Sequence, residues 1–265
     1  MDVPPRCTHR TPHSQERPLK ADPTAQVTLL EVQELDSRAD QLRHQRRTLP
    51  EITEITELQT HRDELDDQAR DARIVVDDLA VEQAKVDADV EQVKARRARD
   101  RERMDTGKVG NPKDLERLGH ELESLERRIS SLEDDEIEVM ERLEEAQSVL
   151  DSVTTLLEQA DVRLGELIAA RDEKVAAIDA QLVDVEAQRG PSVEGLPEDL
   201  LALYEKLRAA KGGVGAAMLH QRRCTGCQLS IDNAELSVIR AAPADLVVRC
   251  EECTRILVRT AESGL

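Results

Sequence analysis

The sequence predicts a mainly α-helical protein, a long antiparallel coiled-coil hairpin with a small β domain at its C-terminal end. Its 265 residues include no Phe, no Trp and one Tyr, and 35% are charged. This composition is typical of long helices rather than of one large core. Apolar residues recur every seven positions in two long segments. Four of the five cysteines form two Cys-x-x-Cys pairs near the C-terminal end.

Residues 1–22 are rich in proline and predict a disordered tail. The tail lacks the apolar stretch of a secretory signal, and the chain has no run of 18 apolar residues that could span a membrane. We therefore expect a cytoplasmic protein that does not bind membranes. The lone Cys7 of the tail is interpreted as a free thiol.

The predicted hairpin covers residues 23–190. Proline fits only in the first turn of a helix, so Pro50 predicts a break between two consecutive helices near Thr48 and Leu49. The heptad positions of the first arm are Leu35, Leu42, Leu49, Leu58, Leu65, Ala72, Leu79, Val86 and Val93. This seam extends over more than five heptads, which indicates a coiled coil.

Two glycines and an Asn-Pro pair predict a turn near residues 104–112. The second arm resumes at once, with Glu136 as the polar exception in its seam. Its heptad positions are Leu115, Leu122, Ile129, Leu143, Leu150, Leu157 and Leu164. The short connection favours pairing within one chain, because closing a short loop costs little entropy. The alternative is that the two arms dimerise separately, in parallel, with a second chain.

Residues 191–213 are predicted to contain a linker and a short helix. The linker itself covers 190–195. Residues 214–261 form the predicted C-terminal domain, in which two β-rich runs, 245–249 and 254–260, should pair as a hairpin. So small a segment has too few large apolar residues to depend on its core alone. We therefore expect a bound metal to supply much of its folding free energy.

The metal ligands are predicted from the two cysteine pairs, Cys224/Cys227 and Cys250/Cys253, which are separated by 22 residues. Four thiolates at this spacing suit one tetrahedral Zn²⁺ per chain. They leave no open coordination position for water or substrate, so the zinc is expected to be structural. Disulfides would be the alternative in a secreted protein.

The chain resembles a bacterial family of cytoplasmic proteins with a coiled-coil hairpin and a C-terminal four-cysteine zinc ribbon. The resemblance covers about residues 20–260. It rests on Asn111-Pro-Lys-Asp-Leu-Glu-Arg-Leu118, on Ser131-Leu-Glu-Asp134 with Met140-Glu141, and on the two cysteine pairs. Where the family usually has Gly after the last cysteine, this chain has Thr254. One branch is similar to a flagellar regulator that binds RNA and a sigma factor, but nothing in this sequence points to flagella or to that sigma factor. The resemblance implies an adaptor that contacts RNA or the transcription machinery.

Two groups of basic residues, at the hairpin tip and on the ribbon, are candidates for contacts with a partner. Residues 22–189 carry 24 basic and 44 acidic residues, a net charge of −20, which should repel nucleic acid. The hairpin tip, residues 94–117, instead carries nine basic and five acidic residues, a net charge of +4. The tip candidates are Arg97, Arg99, Arg101, Arg103, Lys108 and Lys113. The ribbon candidates are Arg222, Arg223, Arg240, Arg249, Arg255 and Arg259.

The sequence favours a non-enzymatic adaptor that binds a protein through its ribbon and its tip. It has no nucleophile motif, no phosphate-binding glycine loop and no small-molecule site. The alternative is a regulator that binds RNA or DNA through arginine–phosphate contacts, since the ribbon lacks the aromatic residues on which bases stack. A third reading is an RNA polymerase factor whose tip acids, Asp100, Glu102 and Asp105, hold magnesium. The surrounding arginines argue against that reading.

Overall fold

A computed structural model describes residues 18–107 and 109–265. The elements are, in chain order, α1 (Pro23–Arg47), α2 (Pro50–Asp105), α3 (Pro112–Glu194), α4 (Glu198–Ala210), β1 (Ala216–His220), β2 (Arg223–Cys224), α5 (Asn233–Ala241), β3 (Val248–Arg249) and β4 (Ile256–Val258). The predicted fold class is confirmed: long helices form a hairpin, and a small strand region follows. Among the described helices, none contains the long apolar stretch that a membrane span requires.

Two helix breaks agree with the sequence. The chain leaves α1 after Arg47 and enters α2 at Pro50, which occupies the first helical position, where its missing N–H costs nothing. The hairpin turn lies between Asp105 and Pro112, and Gly107 there has the positive φ that glycine adopts without strain.

Residues 50–171 form one of two compact units. In this unit α2 pairs antiparallel with the first part of α3, as shown by ion pairs such as Arg62–Asp161 (2.9 Å) and Lys94–Glu133 (2.8 Å). The hydrophobic residues that α2 buries are Ile55, Leu65, Leu79 and Val90. Apolar burial is therefore spread along a narrow seam, and the charged residues flank it.

The other unit contains the described residues up to 49 together with residues 172–265. Here α1 packs against the last part of α3 through Ala39, Leu42, Leu49, Ile178 and Val185. The helix α3 continues through Gly190 and Pro191 to Glu194, across most of the predicted linker 190–195. Proline lacks one N–H donor and glycine has a low helix propensity, so together they are a strong but local stop signal. Packing along the rest of the helix outweighs that signal.

The strands form one sheet in the order β2-β1-β4-β3. β3 and β4 pair antiparallel, as the two β-rich runs predict, but β4 also pairs in parallel with β1, which was not predicted as a strand. On one face Ile256 and Val258 pack with α1 and α4 residues, and on the other Leu257 packs with α5 and cysteine residues. Both faces of β4 are covered, which explains why all three of its residues are buried.

The end of the predicted tail 1–22 is ordered where the structure describes it. Ala21 N–H donates to the Asp245 carbonyl (2.8 Å), and Val247 N–H donates to the Leu19 carbonyl (3.0 Å). These bonds correct the prediction of disorder for residues 19–22, because this segment extends the sheet region beyond β3 and satisfies backbone groups at its edge. Residues 1–17, including Cys7, lie outside the described residues.

A buried charged cluster joins α1, α3 and α4. Asp36 is only 4% exposed and accepts hydrogen bonds from the Tyr204 hydroxyl (2.7 Å) and from Arg189 Nε (2.7 Å). Arg189 also donates to Glu205 (2.5 Å). Burial, together with the hydrogen bond to the Asp36 carboxylate, raises the pKa of Tyr204. The hydroxyl therefore stays a donor at neutral pH, and the cluster fixes α4 against α1.

Candidate metal centre

The two cysteine knuckles have the same backbone structure. In the first, Cys224 N–H donates to the Leu229 carbonyl (3.0 Å), and Gln228 N–H donates to the Cys224 carbonyl (2.8 Å). In the second, Cys250 and Thr254 make the equivalent bonds, at 3.0 and 2.8 Å. The first knuckle begins at the last residue of β2 and the second directly follows β3, so the sheet holds the two turns next to each other.

The geometry of the four sulfurs fits a zinc ion. The Cys224–Cys253 Sγ distance is 3.8 Å, the Cys227–Cys250 distance is 4.0 Å, and all four Sγ atoms lie within 4.8 Å of one another. Zinc–sulfur bonds of about 2.3 Å place the ligand sulfurs of a tetrahedral site about 3.8 Å apart. The predicted ligands are thus brought together with the spacing that zinc requires.

The raised pKa values of two thiols indicate that the four do not all ionise without a cation nearby. Burial raises the pKa of Cys224 to about 12 and raises the pKa of Cys250. Burial opposes ionisation at Cys253 too, but hydrogen bonds from the backbone N–H and side chain of Arg255 outweigh it and lower the pKa to about 7. Four thiolates packed this closely repel one another, so a cation is needed to deprotonate all four.

Each knuckle places the residue after its second cysteine in the left-handed region. Gln228 has φ 64° and Thr254 has φ 63°, whereas glycine is the residue that adopts this conformation without strain. Thr254 therefore keeps the turn that the usual Gly would make, at a cost in strain. Gly226 is different, since a Cβ there would lie 2.8 Å from Arg255 Cδ and 2.9 Å from Ala217 Cβ. Close packing requires glycine at that position.

Two of the predicted ribbon contacts are engaged with the chain's own carbonyl groups. The half-buried Arg259 donates to five carbonyls, among them those of Ala242 (2.9 Å) and Pro243 (2.7 Å). The half-buried Arg255 donates to the carbonyls of Lys211, Val214 and Gly226. This is a correction to the sequence analysis: both guanidinium groups tie the ribbon together, and we remove both from the contact surface. The β-rich sequence around them gave no sign of this, because the carbonyls come from distant segments.

The other four ribbon arginines are exposed. Arg222 donates to Asn233 Oδ1, Arg223 donates to the Gln228 carbonyl (2.8 Å), and Arg249 donates to the Thr254 carbonyl (2.9 Å). Arg240 lies in the last turn of α5, where a cation is favourable for the helix dipole. These four stay candidates for a partner contact.

At the hairpin tip, ion pairs across the hairpin reduce the predicted positive charge. Arg97 pairs with Glu126 (3.1 Å), as Lys94 does with Glu133 and Arg96 with Glu121. These acids lie beyond residue 117, outside the segment whose net charge was counted. Arg99, Arg101, Arg103 and Lys113 are exposed. Lys108 lies outside the described residues.

Two of the three acids named at the tip, Asp100 and Asp105, are paired with arginines. Asp100 is only 9% exposed and lies 3.3 Å from Arg103, and Asp105 lies 3.8 Å from Arg101. In the described residues the four cysteines are the group of metal-binding side chains that lie close enough to hold an ion. The tip geometry therefore gives the magnesium-holding reading no support.

Sequence reasoning missed three features around the centre. They are the strand β1, the helix α5 between the knuckles, and the contact of Arg255 with both knuckles. Helix α5 does carry a local signal, since Asp232 accepts from the N–H groups of Ala234 (2.7 Å) and Glu235 (2.8 Å) as an N-cap. The other two depend on contacts between distant residues.

Comparison with known proteins defines the class. Residues 32–212 match the CT398-like coiled coil hairpin domain, and residues 223–257 match the C4-type zinc ribbon domain. The chain belongs to the CT398-like coiled-coil hairpin family, and its C-terminal part is a C4-type zinc ribbon. The resemblance noted from the sequence is thereby confirmed.

Two relatives of this chain are mycobacterial proteins. The chain is 35% identical over 241 residues to the Mycobacterium tuberculosis protein called "Uncharacterized protein Rv2229c". The matched region covers 91% of this chain and 98% of that protein. It is 28% identical over 218 residues to "Uncharacterized protein ML1638" of Mycobacterium leprae, covering 82% of this chain and 93% of that protein.

Two solved structures share the fold. A Mycobacterium smegmatis protein is 35% identical, with a TM-score of 0.79 over 91% of this chain and 100% of that one. CT398 from Chlamydia trachomatis is 18% identical, with a TM-score of 0.65 over 89% of this chain and 98% of that one, which shows the fold alone.

Proposed function

We propose that the protein is a non-enzymatic adaptor, with one structural zinc per chain, whose ribbon binds an acidic segment of a partner protein. The contact surface is residues 221–223, Gln-Arg-Arg, which we call the arginine turn. Four thiolates on one zinc leave no coordination position for a substrate, so the centre supports a fold rather than a reaction. The single observation that carries the proposal is the backbone strain of the arginine turn.

The arginine turn connects β1 to β2, which pair with Leu219 opposite Cys224 and His220 opposite Arg223. Two residues form the loop, and both have positive φ, 46° for Gln221 and 65° for Arg222. Such turns strongly prefer Asn-Gly, because other residues are strained in this conformation by about 1 kcal/mol or more each. Strain of this kind is commonly kept where a side chain has a function.

The rest of the ribbon holds the strained turn in place. Gln221 N–H donates to the Glu262 carbonyl (2.8 Å), and Arg222 N–H donates to the Ser263 carbonyl (2.9 Å). Ser263 itself is buried, at 1% exposure. These bonds hold the backbone of Gln221 and Arg222 in place before any partner arrives, which lowers the entropy cost of binding.

The two guanidinium groups have donors left for a partner. Each carries five N–H donors, and within the described residues the Arg222 group bonds Asn233 and the Arg223 group bonds the Gln228 carbonyl. Arginine forks match carboxylates in two-bond geometry. A protein carboxylate is favoured over the phosphates of RNA or DNA because the ribbon has no aromatic residue on which bases could stack.

The test is a pull-down with the tagged full-length chain, with and without nuclease, at moderate salt. The variant is Arg222→Ala/Arg223→Ala. Its matched control is Arg127→Ala/Arg128→Ala, an exposed Arg-Arg pair on α3 that removes the same charge. We expect the ribbon variant to lose, and the control to keep, partners that survive nuclease. Each captured protein is then bound as a purified partner to both variants.

Different outcomes separate the readings. Partners that vanish with nuclease and with a rise from 50 to about 200 mM salt would move the RNA- or DNA-binding regulator to first place. Equal losses in the two double variants would show that net charge, and not the arginine turn, governs capture. In that case the tip arginines Arg99 and Arg103 become the next variants.

A further inference from the structure

Arg255 contacts both the four-cysteine site and the end of helix α4. It directly follows Thr254 in the second knuckle, and its carbonyl accepts from Cys250 N–H (3.0 Å). Its side chain leaves that knuckle and donates from Nη1 to the Gly226 carbonyl (3.2 Å) in the first knuckle. The same residue thus contacts both halves of the four-cysteine site.

The other donors of Arg255 hold the connection between α4 and β1. Nε donates to the Val214 carbonyl (2.9 Å), and Nη2 donates to the Lys211 carbonyl (2.9 Å). Lys211 is the C-cap of α4, so its carbonyl belongs to a helix end that needs donors and favours a cation. The three donor atoms of one planar group therefore link the end of α4 to the knuckles.

A second residue, on α1, holds the same connection. Gln33, in α1, is 7% exposed; its Oε1 accepts from the N–H groups of Gly215 (2.7 Å) and Ala216 (3.2 Å). Its Nε2 donates to the Gly213 carbonyl (3.0 Å). The segment 211–216, which we call the connector, is bonded by Gln33 from the helices and by Arg255 from the ribbon.

The packing of Arg255 depends on a correctly formed first knuckle. A Cβ at Gly226 would lie 2.8 Å from Arg255 Cδ, so the side chain lies directly against that turn. The backbone of the connector continues the contact, since Ile256 N–H donates to the Gly215 carbonyl (3.0 Å). If the knuckles separate, the Arg255 guanidinium loses its bond to the Gly226 carbonyl. It then also loses the packing that holds it against the connector.

We propose that Arg255 is a positioning residue that couples zinc binding at the four cysteines to the docking of the connector on α1 and α4. Zinc fixes the two knuckles against each other, and the knuckles fix Arg255. Arg255 then holds the connector against Gln33. By reciprocity, a docked connector strengthens zinc binding.

The test uses the full chain and three variants. Arg255→Lys keeps the charge but cannot reach three carbonyls with one planar group, and Arg255→Ala removes the group. Arg259→Ala is the control, because Arg259 also bonds several carbonyls but those lie in residues 239–246, away from the cysteines. Zinc affinity is measured by competition with a chromophoric chelator. Hydrogen exchange of the amides of residues 213–217 is measured with zinc and after its removal by the chelator.

In the unmodified chain, zinc removal should speed exchange in the connector. Loss of a residue that orients metal ligands typically lowers metal affinity by about 10- to 100-fold, and we expect this for both Arg255 variants. Their connector should exchange fast whether or not zinc is bound. Arg259→Ala should lower zinc affinity less than either Arg255 variant does, and its connector should still exchange more slowly with zinc than without it. The proposal is overturned if connector exchange in the unmodified chain ignores zinc, or if Arg255→Lys binds zinc as tightly as the control does.

Discussion

The hairpin unit, residues 50–171, and the unit that contains the ribbon stabilise themselves in different ways. In the hairpin, exposed ion pairs flank a narrow apolar seam, and α2 buries few side chains completely. In the ribbon unit, two apolar clusters cover the two faces of one sheet, and buried polar groups such as Gln33 and Asp36 link the segments. The stability of the hairpin is thus divided among many small contributions, whereas that of the ribbon unit depends on a few residues.

This difference has a consequence for substitutions. The same chemical change should have a small effect in the hairpin and a large effect in the ribbon unit, and some changes should reverse sign between them. Four experiments, each with two variants, follow in order of decreasing effect, and in the last three the second variant lies in the hairpin.

The largest effect is expected for Cys227→Ser. Structural zinc contributes about 10–16 kcal/mol of binding free energy to small zinc domains, so loss of one ligand should unfold the ribbon. Zinc content should fall from one ion per chain, while helical circular dichroism of the hairpin persists. Cys7→Ser is the control and should keep its zinc. Native-like ribbon signals in a zinc-free Cys227→Ser chain would contradict a structural role for the metal.

The second pair is a glycine-to-alanine change in each region. A Cβ at Gly215 would lie 2.6 Å from the Tyr204 carbonyl oxygen and 2.8 Å from Tyr204 Cδ2, so Gly215→Ala should destabilise the ribbon unit by about 3 kcal/mol. At Gly165, inside α3, nothing lies within 4 Å, and Gly165→Ala should stabilise by up to about 1 kcal/mol. Urea unfolding followed by circular dichroism measures both, and effects of equal sign would count against the contrast.

The third pair removes one negative charge in each region. Asp36→Asn leaves Arg189 and the Tyr204 hydroxyl without their buried carboxylate, and we expect a loss of about 2 kcal/mol. Asp161→Asn breaks the exposed pair with Arg62, and we expect no measurable change in the unfolding midpoint. Thermal unfolding of both variants at the same salt concentration is the measurement. A midpoint for Asp36→Asn equal to that of the unmodified chain would refute the role given to the buried cluster.

The smallest effects are expected for a threonine-to-glycine change in each region. Thr254 is held at φ 63°, and glycine there should raise the stability of the ribbon by about 1 kcal/mol. Thr60→Gly, at an exposed position inside α2, should instead lower stability by a few tenths of a kcal/mol. Chelator resistance of the zinc and urea unfolding report the two effects. A Thr254→Gly chain that releases zinc more readily would argue that the threonine hydroxyl, which donates to the Cys253 carbonyl, matters more than the strain.

Sequence reasoning succeeded where the signal is local. Pro50 ends α1 and begins α2 because proline lacks an N–H, and a heptad repeat is visible within a few turns of helix. The positions of the cysteines in the sequence likewise predicted a ligand set whose sulfurs the structure brings within 4.8 Å. The Gly190–Pro191 stop failed, because packing along a long helix outweighs a short stop signal.

Sequence reasoning was weakest for charged residues. Arg222 and Arg255 look alike in the sequence, yet one is exposed on a strained turn and the other bonds three carbonyls from distant segments. The charge counted at the tip was also too high, since Glu121, Glu126 and Glu133 pair with its cations from beyond the segment. A guanidinium group reaches several ångströms, so its partners depend on which backbones the fold brings near.

The sequence by itself determined the helical hairpin, the place of its turn, the helix break at Pro50 and the four candidate zinc ligands. Each of these depends on residues close together in the chain, where periodicity and spacing act directly. Only the tertiary structure decided the parallel pairing of β1 with β4, the buried Asp36–Tyr204 cluster and the division of the arginines into exposed and internal ones. These depend on non-local contacts, whose partners lie 13 to 168 residues apart, from Arg259–Leu246 to Asp36–Tyr204.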